Sequence, residues 1–358
     1  MVALRNGLYA FRDVNGLRPL YYAYSPHLAA FASERKALWK IGFEHPAPVS
    51  PGSAVCVTPN RLFRIPIARY ERVRERKISF EQASIILRRL LFTAIRRTVK
   101  HAGKICVAFS GGLDSAVTAE MAKRVGAKPK LVGVGLTDSP EISTLDKFAG
   151  ELGLPIKIRE FDSDSMEEYV RRVLWLIEEP NLMKLSVAIP LHWAAMVGAE
   201  YGCDVMLCGQ GSDELYGGYS KYAKTLMVKG RKALRVQLYR SVVESSQVNY
   251  ERDDQATSVF PIELRTAFAD PDVIKFSLAI PSEFKVKDGN DTVRKWVLRD
   301  VARKVGLPTD MVWRRKKAIQ HGTGVEKAIR KLAKTQRLDP DQYLSETFER
   351  VRMMESMP

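Results

Sequence analysis

A serine- and glycine-rich string between a predicted strand and a predicted helix holds the residue types best suited to chemistry. Residues 110–115 read Ser-Gly-Gly-Leu-Asp-Ser, after the apolar run 105–109 and before the amphipathic segment 116–125. Paired glycines let a backbone approach phosphate closely, and the free N–H groups at a helix start favour anions. The string predicts a nucleotide triphosphate site with hydroxyl donors from the two serines and an Asp placed to hold Mg²⁺. Its predicted binding residues are Phe109, Ser110, Gly111, Gly112, Asp114 and Ser115.

This loop differs from two better-known phosphate loops. It lacks the terminal Lys-Ser/Thr of a Walker loop and the three-glycine spacing of a dinucleotide fingerprint. The alternative is a serine-glycine turn that stops a strand and caps a helix.

A second loop nearly a hundred residues later supports the nucleotide interpretation. The apolar run 205–208 leads into residues 209–214, which read Gly-Gln-Gly-Ser-Asp-Glu. Parallel sheets place ligand loops at the carboxyl ends of their strands, so both loops are expected to face one crevice. Asp114 and Asp213 would then share one Mg²⁺, with the nucleotide phosphates supplying further oxygen ligands. A glycine-rich turn with a helix-capping Asp is the alternative, but it gives no reason for two matched loops.

The order of predicted elements indicates an α/β fold with a doubly wound parallel sheet. Strands are predicted at 105–109, 131–136, 155–161 and 205–209, with helices at 115–125, 142–152, 165–178 and 190–201 between them. Before them, residues 7–12, 19–24, 28–31, 54–57 and 61–65 predict short strands, followed by a charged linker at 69–77. Ser79 and Gln82 form the capping-box pattern of a long helix. From Lys221 onward the pattern is mostly helical.

Composition bounds the class of protein. The 358 residues carry a formal charge of +16, with 46% hydrophobic and 27% charged residues, which is ordinary for a globular chain. The excess of Lys and Arg keeps nucleic acid open as a partner, although interleaved Glu is more typical of solvated helix faces. We find no apolar run of membrane-spanning length in the sequence and expect a cytoplasmic enzyme with no membrane partner. The four cysteines lie mainly in apolar runs and are interpreted as reduced core residues.

Several segments in order along the chain resemble the asparagine synthetase family. Residues 110–115 resemble the pyrophosphatase loop of N-type ATP pyrophosphatases, and residues 209–219 resemble that family's second signature. Residues 262–270 are similar to its Glu-x-Arg-x-Pro-Phe-x-Asp block, and residues 313–316 to its Trp-Arg-x-Lys block. The resemblance implies an adenine nucleotide alpha hydrolase-like sheet, a synthetase domain at 78–345 with a helical C-terminal extension, and a small N-terminal β-rich remnant at 1–70.

The resemblance also implies a reaction and roles for residues. An ATP-dependent, AMP-forming amide ligase would adenylate a carboxylate, in the first instance aspartate, and ammonia would then displace AMP. ATP and Mg²⁺ are the implied cofactors. The implied catalytic residues are Lys316, Asp114, Asp213, Gln210 and Glu263; Val134, Gly135, Gly209 and Lys316 join the ATP and pyrophosphate contacts, and Asp114 and Asp213 bind the metal.

Three departures from the family pattern leave alternatives open. Gln210 stands where the synthetases commonly have Glu, and an amide cannot accept a proton as a carboxylate can. Residues 181–187 lack a clear match, so another carboxylate, or transfer RNA, remains open as the acceptor.

Residues 31–38 and 51–53 resemble the end of a glutaminase domain, yet the chain offers Met1-Val2 and no cysteine before Cys56. We therefore expect no glutamine hydrolysis by the isolated chain; ammonia would come from solution or from a separate glutaminase subunit. Self-association and a non-catalytic ATP-binding role are further alternatives.

Overall fold

Two small antiparallel sheets form the N-terminal region. The computed structural model describes residues 1–25, 27–58, 61–137, 139, 142–315 and 319–356. One sheet has the strand order β1-β2-β6-β7 and the other β4-β3-β5. The strands predicted from sequence are confirmed to within a few residues, whereas β1, β5 and α1 were not predicted. The elements are β1 (Val2–Leu4), β2 (Gly7–Phe11), β3 (Tyr21–Tyr24), β4 (Ala29–Ala32), α1 (Arg35–Trp39), β5 (Ala47–Pro48), β6 (Ser53–Thr58) and β7 (Arg61–Pro66).

A five-stranded parallel sheet forms the centre of the protein. Its order is β10-β9-β8-β11-β12, and every neighbouring pair is parallel. Helices pack on both faces, which confirms the doubly wound α/β prediction. The elements are α2 (Phe80–Val99), β8 (Ile105–Ala108), α3 (Leu113–Arg124), β9 (Lys130–Leu136), α4 (Ile142–Leu152), β10 (Ile156–Phe161), α5 (Met166–Ile177), α6 (Leu182–Glu200), β11 (Val205–Leu207) and β12 (Glu263–Arg265).

Helices dominate the rest of the chain, as the sequence predicted. Gly230, with φ +73°, interrupts the longest of them, and a π-helical turn at Ser246–Tyr250 joins it to the next. The elements are α7 (Ser212–Tyr216), α8 (Ser220–Ser245), α9 (Glu251–Thr257), α10 (Pro271–Ala279), α11 (Trp296–Lys304), α12 (Thr309–Trp313), α13 (Ile319–Gly322), α14 (Val325–Thr335) and α15 (Pro340–Ser356).

Helix boundaries follow the capping residues. The predicted capping box is present at α2, where the Ser79 side chain accepts from the Gln82 N–H and the Gln82 side chain accepts from the Ser79 N–H. The predicted start of α6 at residue 190 is wrong. Asn181 caps this helix by accepting from the Lys184 N–H, and Pro190 lies inside it. Proline is common in the first turn of a helix and rare in its interior, so residue 190 is a misleading signal for the start of this one.

Helix α6 is also the one described helix long and apolar enough to cross a membrane, by length and composition alone. The sequence prediction that no apolar run reaches this length is therefore corrected. The helix is 67% buried over that stretch and packs in the core beneath the central sheet. The core helix of a folded domain meets the same criterion, so this is weak evidence for a membrane span.

Buried ion pairs tie the N-terminal region to the rest of the chain. Arg12 lies 2.7 Å from Glu251 on α9, and both residues are less than a tenth exposed. The Glu178 carboxylate accepts from the backbone N–H groups of Arg35 and Lys36. Residues 67–79, which connect β7 to α2, contain no helix or strand, as predicted for the linker. The division into domains at 1–70 and 78–345 stays a prediction.

A buried lysine gives the stability of the fold a pH dependence. Burial lowers the pKa of Lys285 to about 7, opposed by the charge of Glu75. Between about pH 7 and pH 10 the unfolded chain keeps a proton here that the folded chain has lost, so stability rises with pH in that window. We expect the difference in free energy of unfolding between the wild type and Lys285→Met to change in favour of the wild type by up to about 1.4 kcal/mol per pH unit in this window.

Urea unfolding of both proteins at pH 7, 8 and 9 measures this difference. The Met variant also loses the hydrogen bond from Lys285 to the Ser277 carbonyl (2.6 Å). That loss changes the difference in stability at every pH by a similar amount and has less effect on how the difference varies with pH. A difference that stays constant with pH would contradict the prediction.

Candidate active site

The first glycine loop is held in shape by its own serines. The Ser115 hydroxyl donates to the Gly112 carbonyl (3.1 Å) and accepts from the Ser110 N–H (3.3 Å). Gly111 has φ +65°, a conformation that favours glycine, and Gly112 is the N-cap of α3. Asp114 lies in the first turn of that helix. The loop therefore presents a helix N-terminus, hydroxyl groups and one carboxylate at the carboxyl end of β8.

The second glycine loop follows the neighbouring strand β11 and contacts the first. A Cβ added to Gly209 would lie 2.6 Å from the Asp114 Cβ, so only glycine allows the two loops this approach. The Ser212 hydroxyl donates to Asp114 Oδ1 (2.6 Å), and Asp213 follows in the first turn of α7. The two loops therefore face one crevice, as predicted.

A lysine that sequence analysis did not single out joins the two carboxylates. The Lys295 Nζ lies 2.6 Å from Asp114 Oδ1 and 2.6 Å from Asp213 Oδ1, and its side chain is 3% exposed. A Cβ added to Gly218 would lie 1.7 Å from Asp213 Oδ1 and 2.3 Å from the Lys295 Cε, so glycine is required beside this contact. Asp114 and Asp213, 99 positions apart, thus converge on one cation.

An unusual backbone conformation places Lys295. Arg294 and Lys295 have φ of +55° and +56°, a region that costs non-glycine residues roughly 1–3 kcal/mol each. Buried arginine contacts hold this turn. Arg294 donates to the Gly218 carbonyl (2.9 Å), and Arg299 donates to the carbonyls of Arg294 and Val293 (2.7 Å each). Strain tolerated in this way is typical of functional sites.

Two arginines contact the segment that precedes Lys316. Arg299 connects it to the turn at residues 294–295, and Arg314 connects it to the first glycine loop. Arg299 also donates to the Val312 carbonyl, and Arg314 donates to the Gly111 carbonyl (3.0 Å). The Arg314 guanidinium further packs over the Phe148 ring. Lys316, the predicted mobile cation, lies outside the described residues, so its role stays a prediction.

A cavity of about 860 Å³ opens above these groups. The predicted residues Phe109, Val134 and Gln210 line it together with Ser110, Asp114, Ser115, Gly209 and Asp213. Apolar residues on the β9 side of the cavity include Val132, Val134, Ile142 and Leu145. This wall is suited to a flat aromatic ring such as adenine.

Of the predicted site residues that the structure describes, Gly111 and Gly112 belong to the first loop but do not line the cavity, and Gly135 and Glu263 lie outside the two loops as well. Gly135 is on β9, where an added Cβ would meet Ile142 at 3.0 Å, but it does not line the cavity. Glu263 is on β12 and pairs with Arg265 and with Arg18 (2.9 Å). It lines a second cavity of about 520 Å³. Hydrogen bonds from both arginines, that from Arg265 foremost, hold the pKa of Glu263 below its ordinary value despite partial burial.

The two cavities meet at the second loop. Cys208, Gln210 and Asp253 line both of them. The second cavity is also bounded by Asp13, Leu17 and Arg18 of the N-terminal region. Gln210 therefore lies between the main cavity and the part of the second cavity that the N-terminal region bounds.

The donor set at the loops fits Mg²⁺. Asp114 and Asp213 offer hard carboxylate oxygens that already converge on one ammonium group. Mg²⁺ bound with nucleotides usually takes one or two carboxylates, phosphate oxygens and waters. The described part of the chain contains no cluster of three or more His, Cys, Asp or Glu side chains suited to a metal, so an ion here would need ligands from the nucleotide and water. These two carboxylates would therefore share one divalent cation with a bound nucleotide.

Comparison with known protein sequences identifies the family to which the chain belongs. The sequence profile of the asparagine synthase family matches residues 86–246 and 225–357. A putative glutamine-hydrolysing asparagine synthetase from Methanocaldococcus jannaschii is 32% identical over 90% of this chain and 68% of its own length. A probable asparagine synthetase from Schizosaccharomyces pombe is 27% identical over 88% and 61%, and asparagine synthetase B from Escherichia coli is 25% identical over 87% and 58%.

Among solved structures, NMN synthetase from Francisella tularensis matches 78% of this chain and 94% of its own chain, with 10% identity and a TM-score of 0.37.

The parallel sheet, its two glycine loops and the sequence comparisons define the class of ATP-utilising carbon–nitrogen ligases. Within that class, the chain belongs to the asparagine synthase family. It spans about three-fifths to two-thirds of the length of the three relatives named above.

Proposed function

We propose that the protein is an ATP-dependent, AMP-forming amide ligase that adenylates a carboxylic acid and transfers the acyl group to ammonia. The observation that carries the proposal is the convergence of Asp114 and Asp213 beside a helix N-terminus at the carboxyl ends of two adjacent strands. Such an arrangement suits a polyphosphate with its metal. The apolar wall on the β9 side supports binding of the adenine ring there.

The chain's own residues would stabilise the departing pyrophosphate. The first N–H groups of α3 and the Ser110 hydroxyl would donate to phosphate oxygens, and the Ser115 hydroxyl would do so by giving up its bond to the Gly112 carbonyl. Lys295 brings a buried positive charge to the same place. Asp114 and Asp213 would hold Mg²⁺, which supplies further charge neutralisation for the leaving group. Donors and cations fixed in advance act where charge develops in the transition state.

Two bond exchanges make up the reaction. An oxygen of the acceptor carboxylate attacks the α-phosphorus of ATP, and the bond to the pyrophosphate oxygen breaks. Ammonia then attacks the acyl carbon of the adenylate, loses a proton, and AMP leaves with the bonding electrons. Gln210 can position the nitrogen by hydrogen bonding, but its amide accepts no proton at neutral pH.

The relatives support a choice of acceptor, and the cavities support a route for the nitrogen source. Aspartate is the first acceptor to test because the curated relatives are named asparagine synthetases. The second cavity, which joins the N-terminal region to Gln210, supports entry of ammonia from that side, from solution or from a glutaminase partner. Another acid remains the alternative acceptor. Self-association, nucleic-acid binding and a cytoplasmic location stay predictions.

Acid-dependent ATP–pyrophosphate exchange and product analysis test the proposal. With aspartate, ATP, Mg²⁺ and ammonium, we expect AMP and asparagine in equal amounts. Aspartate without ammonium should still support exchange of labelled pyrophosphate into ATP, because the adenylate forms first. ADP as the nucleotide product, or ATP binding with no exchange for any acid, would contradict the proposal; the second outcome favours a non-catalytic paralogue.

A further inference from the structure

A further cavity, of about 350 Å³, lies away from the two described above. The linker at 67–79, helix α8 and the segment from α10 to Lys285 enclose it, and we call it the linker cavity. It shares no described lining residue with the main cavity or with the second cavity. Its volume is at the lower end of the range for pockets that bind small molecules. A ligand bound here would be separate from the substrates of the proposed reaction.

Hydrogen bonds fix the linker across α8 and α10. The Arg76 N–H donates to the Ala279 carbonyl (2.8 Å) at the end of α10. Glu75 Oε1 accepts from the Ser282 N–H (2.9 Å) and lies 3.1 Å from Arg235 Nε on α8. The walls of the linker cavity are therefore held by specific contacts from all three elements.

Two buried polar side chains on this wall have hydrogen-bonding capacity to spare. Lys285 is 2% exposed and Ser282 is 1% exposed, and both line the linker cavity. An ammonium group has three donors, and within the described part of the chain that of Lys285 makes one hydrogen bond, to the Ser277 carbonyl (2.6 Å). Ser282 Oγ is buried and has no hydrogen-bond partner among the described residues. Burying such groups unsatisfied is costly, so an acceptor in the cavity would stabilise both.

The charge of the wall favours an anion. Glu75 is the acid among the described lining residues, and it already contacts Arg235 and the Ser282 N–H. The basic lining residues are Arg72, Lys232, Arg235 and Lys285. An anion would be attracted by this excess of positive charge.

The rest of the wall is suited to an apolar body. Both helices contribute apolar side chains to it, among them Val236, Tyr239, Leu278 and Ile280. Lys285 and Ser282 lie on one turn, where the Lys285 N–H donates to the Ser282 carbonyl (3.1 Å). An ammonium and a hydroxyl match the two oxygens of a carboxylate, each of which accepts hydrogen bonds. The ligand that fits this wall therefore combines one carboxylate with an apolar chain or ring.

We propose that the linker cavity binds a monocarboxylic acid, with its carboxylate on Lys285 and Ser282 and its apolar body against α8 and α10. The inference goes beyond the proposed function and does not depend on it. Arg72 and Lys232, which are exposed, add positive potential that attracts the anion.

Three probes that differ in their head group test this assignment by isothermal titration of the full chain at pH 7. Octanoate is expected to bind at least about tenfold more tightly than octanamide or octylamine, the value of a charged hydrogen-bonded contact. Acetate carries the same charge without the apolar chain and should also bind at least about tenfold more weakly than octanoate. Saturating Mg·ATP should not displace octanoate, because the two cavities are separate.

Two variants locate the site. Lys285→Met should weaken octanoate binding by about 10- to 100-fold, and Ser282→Ala, which removes only the unpartnered hydroxyl, by about 3- to 10-fold. Lys275→Met is the matched control, since Lys275 is exposed on α10 and does not line the cavity, and it should bind octanoate as the wild type does. If Lys285→Met fails to fold by circular dichroism, Ser282→Ala and the pH dependence below still decide.

The affinity should also depend on pH. Burial lowers the pKa of Lys285 to about 7; the charge of Glu75 opposes this and that of Arg235 adds to it. Arg72 and Lys232 are the other charged groups on this wall. A carboxylate favours the protonated amine, so binding takes up a proton above pH 7, and affinity should fall by up to about tenfold between pH 8 and pH 9. Titrations in two buffers of different ionisation enthalpy measure the proton uptake, which should be absent in Lys285→Met.

Four results would overturn the assignment while leaving the ligase proposal intact. Octanamide binding as tightly as octanoate would show an apolar cavity without a carboxylate site. Equal affinity for octanoate in the wild type, Ser282→Ala and Lys285→Met would place the probe elsewhere. Displacement by Mg·ATP would place it in the main cavity. Absence of octanoate binding would show that the cavity does not take this class of ligand.

Discussion

Asp114→Asn and Asp213→Asn are each expected to lower acid-dependent ATP–pyrophosphate exchange by roughly 10²- to 10³-fold. Both carboxylates contact the ammonium group of Lys295. Asparagine has the same shape as aspartate but lacks the negative charge that holds a divalent metal. The fold should survive because Lys295 keeps one carboxylate partner in either variant. Circular dichroism and thermal unfolding check the fold, and exchange kinetics check the activity.

A magnesium titration makes this prediction sharper. If the two carboxylates share one ion, each variant should require a higher Mg²⁺ concentration for half-maximal residual exchange. Asp310→Asn is the matched control, since Asp310 is exposed and pairs only with Lys147 at the surface among the ion pairs described. A raised Mg²⁺ requirement in only one of the two variants would contradict a shared site.

The parts of the site predicted from sequence are those encoded by contiguous residues. Residues 110–115 and 209–214 each combine glycines, hydroxyls and an Asp directly after an apolar strand. Their meeting follows from one general rule, that the carboxyl ends of adjacent parallel strands face the same crevice. Local propensity and global topology agree there, so the prediction of Asp114 beside Asp213 needed no knowledge of distant contacts.

Lys295 could not be predicted in this way. It is a single lysine in the basic sequence Arg294-Lys295, with no spacing relation to either loop. Its position depends on two consecutive residues with positive φ, a conformation that propensity disfavours and that the contacts of Arg294 and Arg299 maintain.

The fold shows the same division between local and distant information. Capping at Ser79 and the alternation of strands and helices from 105 to 209 are local patterns, and the structure confirms them. Strand β12 has three residues, too few for a periodic signal, and pairs with β11 from across more than fifty intervening positions. The position of Glu263 at the edge of the sheet, beside Arg18, was therefore not predicted, and the catalytic role that the resemblance implies for it stays a prediction.

Lys295→Met is expected to slow exchange by at least about a hundredfold while the KM for ATP changes by only a few fold. Lys295 is a buried charge next to the position where pyrophosphate would leave, and such charge stabilises the transition state more than the bound nucleotide. If these carboxylates hold Mg²⁺ as proposed, the same lysine would compete with the ion for Asp114 and Asp213. The variant should therefore bind Mg²⁺ more tightly in the absence of nucleotide while it turns over more slowly.

These two opposite changes distinguish Lys295 from a residue that only supports the fold. A structural defect would weaken Mg²⁺ binding and turnover together, whereas removal of a competing cation that also acts in catalysis changes them in opposite directions. Lys287→Met is the matched control, because Lys287 is exposed in the same segment and its ammonium lies over the Trp296 ring. Isothermal titration with Mg²⁺ and steady-state exchange supply the two measurements. Normal turnover in Lys295→Met would show that its contact with the two carboxylates serves only the state without nucleotide.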